Sequence, residues 1–195
     1  MNLNRTRYFA AFCISICWAS LAAAQQIEAF FSPHGGCAAA ICREIDAAKS
    51  TIDIIAYELT NPEFAVPIAA ANRRGVTVRI ILDRAQERTP EAYGQKMERL
   101  GIGVMTDRTE KLQHNKYVII DGSIVLTGSY NWSLNAENNN AENLLVIRDT
   151  ATATAFAKDF ATHWSHSTAF RWNPIQRKQK KSPRATGFSN PSRPH

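Results

Sequence analysis

Within the stretch HNKYVIIDGSIVLTGSYNW, residues 114–132, His114 and Lys116 precede one apolar run, and Ser129 and Asn131 follow a second. An imidazole can attack as a nucleophile or exchange a proton, an ammonium brings a positive charge, and a hydroxyl and a carboxamide add neutral donors of fixed direction. Together they suit a phosphate ester: Lys116, Ser129 and Asn131 hold the non-bridging oxygens while His114 acts at phosphorus. A metal-dependent phosphodiesterase would need carboxylates or histidines converging on one point instead. His163 and His166, spaced by three on the last expected helix, have ligand chemistry, but Trp164 and a basic tail beside them argue against a metal. We expect no metal and no other cofactor. His34, in a glycine-rich loop, reads equally as a turn residue or a substrate contact.

The element that must gather the four groups is a hairpin. Asp121-Gly122 between two β-rich runs signals a two-residue turn with positive φ at both central positions. With those two residues as the loop, Ile120 faces Ser123, His114 falls opposite Ser129, and Lys116 opposite Thr127. Alternation then puts His114 and Lys116 on one face with Ser129 and Asn131, next to Val118, Ile120, Val125 and Leu126. Asp121 is expected to form the turn, with Gly122 beside it.

Around the hairpin the chain alternates strand and helix. CREIDAAKS after Gly35-Gly36 reads as a helix and TIDIIAYEL as a strand; Asn61-Pro62-Glu63 is a helix start, with Pro67 predicting a kink or a late start. VTVRIILD is a strand, 90–100 a helix closed by Gly101, and GIGVMT a short strand. Three strands follow, in KYVII, SIVLTG and NLLVIRD, and a final helix spans about 152–165. This is the pattern of one α/β domain with a mixed sheet flanked by helices.

The string His114-x-Lys116-x4-Asp121-x6-Gly128-Ser129-x-Asn131 resembles, without a mismatch, the HKD motif of the phospholipase D superfamily. The likeness runs from FFSPHGG to the last helix and is greatest to the small exported bacterial endonucleases with one motif per chain. It implies a phospholipase D-like α/β/α sandwich and a metal-independent phosphodiesterase working through a covalent phosphohistidine. His114 would be the nucleophile, Lys116, Ser129 and Asn131 the phosphate ligands, and Gly128 a structural member of the motif with Asp121 and Gly122. Glu142, in NAENLLVI, matches the family's acid that orients the histidine. A single motif per chain implies a homodimer, with two histidines facing each other across a twofold axis.

Composition sets the remaining expectations. Arg5 and Arg7, the apolar run 8–21 and Ala22-Ala23-Ala24 read as a signal peptide over 1–24, so the mature protein is expected outside the cytoplasm, periplasmic or secreted, with no stable membrane insertion after cleavage. Residues 25–170 are the expected phospholipase D-like nuclease domain that the resemblance implies, and carry fourteen Lys/Arg against seventeen Asp/Glu; 171–195 carry seven Lys/Arg and no acid. That tail reads as disordered, and is either a polybasic arm for a polyanion or a solvated terminus. Cys37 and Cys42 form a disulfide only if Cys37 precedes the helix; the sequence leaves the bridge open. The function expected is sequence-non-specific cleavage of nucleic acid, DNA and also RNA, since no base-reading module is evident. A phospholipid-headgroup hydrolase and a catalytically silent nucleic-acid-binding protein are the alternatives.

Overall fold

The computed structural model describes residues 26–173; the expected leader and the tail from 174 onward lie outside them. Eight strands make one sheet in the order β1-β7-β6-β5-β2-β3-β4-β8. Its middle is β2 (Thr51–Ala56), β3 (Thr77–Asp83) and β4 (Gly103–Asp107), all parallel. Against β2 lies antiparallel β5 (Lys116–Ile120), followed outward by β6 (Ile124–Gly128), β7 (Glu142–Arg148) and β1 (Gln26–Ser32). The two-residue β8 (Thr168–Ala169) closes the other side on β4. This is the mixed sheet flanked by helices that the sequence led us to expect.

Two cores explain why the central strands are apolar on both faces. On one face Ile41 and Ile45 of α1 (Cys37–Ala47) and Ile68 of α2 (Ala65–Arg73) pack on Ile52, Ile54, Ile80, Val118 and Leu126. On the other, Ala153 and Phe160 of α5 (Thr150–His166) cover Ile55, Ile81, Tyr117, Ile119 and Val125. Asp149 starts α5 by accepting from Thr152 N at 2.7 Å. Arg79 grips Asp53 through two bonds of 2.7 Å and lies over the Phe160 ring, locking α5 to the sheet. Val125 and Leu126 therefore serve opposite cores, as alternation along β6 requires, and only Leu126 shares a core with Val118 and Ile120.

The helix that Asn61 starts opens with a 3-10 turn, Pro62–Phe64, before α2; Asn61 caps it by accepting from Glu63 N at 3.0 Å. Pro67 sits in the first turn of α2, where a missing N–H has no intrahelical partner to lose, so the late start was correct. The helix expected from 90 begins only at α3 (Gly94–Arg99). Four elements among the described residues were not anticipated: β1, β8, α4 (Leu134–Asn138) and a 3-10 helix at Arg84–Arg88. Cys37 is the first residue of α1 rather than part of the preceding loop, and both cysteines are free thiols. The condition for the bridge is unmet. Among the described residues no helix is long and apolar enough to cross a membrane.

Candidate active site

The strand directions bring the C-terminal ends of β1, β2, β3, β4 and β6 and the N-terminal ends of β5 and β7 to one edge of the sheet. Open α/β sheets bind ligands at such an edge, where loops leave the strands. His114 stands there, exposed, two residues before β5. Its approach is fixed by neighbours the sequence did not single out. Gln113 N donates to the buried Asp83 carboxylate at 2.9 Å, and the Tyr57 ring, just past β2, lies 4.7 Å from the imidazole.

Lys116 is 8% exposed, and its ammonium lies 3.1 Å from His114 Nδ1 and 2.6 Å from the His114 carbonyl oxygen. Of its three hydrogens, two are engaged within the chain and one remains for a ligand. Burial lowers its pKa below the ordinary lysine value, against the opposing pull of the Glu142 and Glu58 carboxylates. Glu142 opens β7 at the same edge; its Oε1 accepts from Asn140 Nδ2 at 3.1 Å. Among the described residues no hydrogen bond joins Glu142 to His114. The Nδ1 atom of His114 meets Lys116 Nζ instead.

The hairpin differs from expectation in its register. Tyr117, not Lys116, is opposite Thr127, and Ile120 is opposite Ile124. Asp121 and Gly122 do take positive φ, 51° and 62°, and Ser123 N closes the turn on Ile120 O at 3.1 Å. Ser123 is then an extra residue, a bulge after the turn, which shifts the pairing by one. His114 and Ser129 consequently do not face each other by simple alternation.

Ser129 and Asn131 reach the site edge by another route. β6 ends at Gly128, where a Cβ would meet the Asn143 carbonyl oxygen at 2.2 Å, so only glycine allows β7 this close. Past it, Ser129 is exposed and its Oγ accepts from Asn143 N at 3.1 Å, which leaves the hydroxyl hydrogen free to donate outward. Tyr130 and Trp132 turn into the core, 1% and 2% exposed. Asn131 lies between them, its Oδ1 buried with no hydrogen-bond partner among the described residues.

Asp121 lies far along the hairpin from His114 and accepts from Lys49 N, Ser50 N, Ser50 Oγ and Thr51 N at 2.8–3.0 Å. It ties the turn to the start of β2. Burial alone would raise its pKa, but the hydrogen bonds from Thr51, Ser50 and Lys49 outweigh that and hold it below the usual value. His34 takes a left-handed backbone, φ 64°, in the loop after β1, and its N–H donates to Glu137 O. Of its two readings, the turn role is the one its backbone fits.

The resulting edge can hold a phosphodiester against an ammonium and a hydroxyl beside an exposed imidazole. Over residues 41–164 the chain matches the family model described as cardiolipin synthase, PLD-like domain. It is 33% identical over 135 residues to a phospholipase D of Rickettsia felis, covering 69% of this chain and 68% of that one. The phospholipase D family member Nuc from Salmonella typhimurium superposes with a TM-score of 0.72 at 30% identity, over 75% of this chain and 99% of that one. NucT from Helicobacter pylori superposes at 0.70 with 25% identity, over the same shares.

Proposed function

The chain belongs to the phospholipase D superfamily of phosphodiesterases, and from that premise we propose that it is a metal-independent, sequence-non-specific endonuclease acting as a homodimer. The observation that carries this is the convergence of His114, Lys116, Ser129 and Glu142 on one sheet edge. In this reading His114 Nε2 attacks phosphorus, forming a P–N bond as the ester P–O bond breaks. The partner's His114 protonates the departing oxygen, then takes a proton from the water that cleaves the phosphohistidine. Lys116, Ser129 and Asn131 stabilise the charge on the non-bridging oxygens. While Lys116 donates to Nδ1, a neutral ring carries its proton on Nε2. Attack requires that proton on Nδ1, so Lys116 turns from Nδ1 to the phosphate and Glu142 is the carboxylate suited to accept the hydrogen bond from Nδ1–H.

Two features favour nucleic acid and a dimer. A cleft of about 620 Å³ at the ends of β3 and β4 is lined by Arg84, Arg88 and Arg108 with Asp83 and Glu87. Arg108 is paired with Glu87, which leaves Arg84 and Arg88 as the cations without a carboxylate partner among the described residues to meet a polyanion. On the α5 side of the sheet, Ile27, Ala29 and Phe31 of β1 align with Leu145 and Ile147 of β7. Ile27 is 52% and Phe31 63% exposed, and this flank continues the core at Val125. A second copy seated there would supply the missing histidine.

Hydrolysis of a phospholipid headgroup is the second reading, favoured by the name of the Rickettsia relative and the description of the family model. The deciding experiment incubates the mature protein, beginning at Gln25, with supercoiled plasmid in excess EDTA, beside His114→Ala. Cleavage by the first alone is the expected result. Failure to cut DNA with release of headgroup from phospholipid vesicles would replace it with the second reading. DNA binding with neither activity would make the protein a silent binder.

A further inference from the structure

Away from His114, the last turn of α5 comes down on the end of β4 and the loop beyond it. Four side chains meet there that lie far apart in sequence: Asp107, Glu110, His163 and His166. One ligand atom from each lies within 4.8 Å of all the others. His163 Nδ1 is 2.8 Å from Asp107 Oδ2 and 3.8 Å from Glu110 Oε2; His166 Nε2 is 3.2 Å and 3.6 Å from the same two atoms. Bonds of about 2.0–2.1 Å to a tetrahedral ion put its ligand atoms about 3.3 Å apart. These four separations straddle that value.

We propose that Asp107, Glu110, His163 and His166 form a tetrahedral site for a divalent transition metal of the zinc class, joining α5 to the β4–β5 connection. Two carboxylates neutralise the ion's charge and two imidazoles give the nitrogen donors that zinc takes readily; magnesium and calcium favour all-oxygen shells. The site is built in layers. The Asp107 side chain is fully buried, His163 and His166 are mostly covered, and Glu110 is the exposed ligand at the mouth. Asp107 Oδ1 is already engaged by Thr109 N at 2.9 Å, which aims Oδ2 at the two imidazoles. Beyond His163, its other nitrogen lies 3.7 Å from Asp159 Oδ1, and Asp159 is itself held by the Tyr117 hydroxyl at 2.8 Å. A carboxylate behind a ligating histidine is the usual outer partner in zinc sites.

The site is structural and separate from the phosphodiesterase chemistry. It does touch the loop that carries His114: Gln113 Nε2 donates to Asp107 Oδ2 at 2.8 Å and lies 3.0 Å from His163 Nδ1. A bound ion would set the position of Gln113 and, through it, the entry to β5.

The test uses the mature full-length chain stripped with a chelator and dialysed, titrated with Zn²⁺ by calorimetry and with Co²⁺ by visible absorption. We expect one ion per chain with sub-micromolar affinity, the intense absorption of tetrahedral Co²⁺, and a melting midpoint several degrees higher with Zn²⁺. The His163→Ala, His166→Ala double variant should bind at least about 100-fold more weakly. Glu110→Gln, at an exposed position that leaves folding intact, should bind at least about tenfold more weakly. His114→Ala should bind as the wild type does. No saturable binding below about 10 µM, undiminished binding in both ligand variants, or loss of binding in His114→Ala would each overturn the proposal.

Discussion

Lys116 shows what a buried ammonium costs the fold. Its ammonium is buried, its pKa lowered by that burial, and its nearest partners are a ring nitrogen and a carbonyl rather than a directly bonded carboxylate. Removing a buried charge of this kind with an apolar group of like length is neutral or stabilising. Lys116→Met is therefore expected to melt no lower than the wild type while losing roughly 10²–10³-fold in turnover, the range for removing a donor to a developing negative charge. A lower melting point with turnover intact would make Lys116 a packing residue. His114 and Lys116 were legible as a pair from residue type and spacing alone. The contact of Lys116 with Nδ1 was not, because it depends on the side chain folding back at the start of β5.

The hairpin positions its residues by two devices, the turn and the close passage at Gly128. Asp121 binds a proton less readily in the fold than in the unfolded chain, since four hydrogen bonds favour its charged form. The stability it contributes is full above the unfolded value of about 4 and is lost as pH falls through the lower folded one. Asp121→Asn should melt a few degrees lower at pH 7 and approach the wild type only as the pH falls through the lowered folded-state value. Melting curves over pH 2–7 check this; parallel curves would mean that the carboxylate's charge is irrelevant. At this scale the sequence signalled the turn chemistry correctly but missed the bulge at Ser123. A bulge residue carries no distinctive type, and it is selected by the neighbouring strands.

For the whole molecule, a single HKD-type hairpin with one motif histidine, His114, and an apolar flank on β1 make the dimer the testable issue. Ile27→Glu with Phe31→Glu should give a monomer in analytical ultracentrifugation, with unchanged circular dichroism and at least about 100-fold less cleavage. A monomeric variant with full activity would refute a site shared between subunits. The chain beyond Asn173 bears six Lys/Arg. Asn173 N and Arg171 N still bond Glu87, so the ordered backbone continues beyond the boundary expected at residue 170. Truncation after Asn173 should flatten the dependence of log K for DNA on log salt by up to about five, with turnover on a small phosphodiester unchanged. An unaltered slope would make the tail a solvated terminus.

By itself the sequence determined the family, the alternation of strand and helix, and the residue types at the sheet edge around His114, because turn chemistry, apolar periodicity and fixed spacers are local properties. Only the tertiary structure decided the hairpin register, the partner of His114 Nδ1 and the meeting of Asp107 and Glu110 with His163 and His166. Each of these depends on which strand lies next to which and on where α5 lands. His163 lies 56 residues from Asp107, and their 2.8 Å contact is set by the sheet and helix between them.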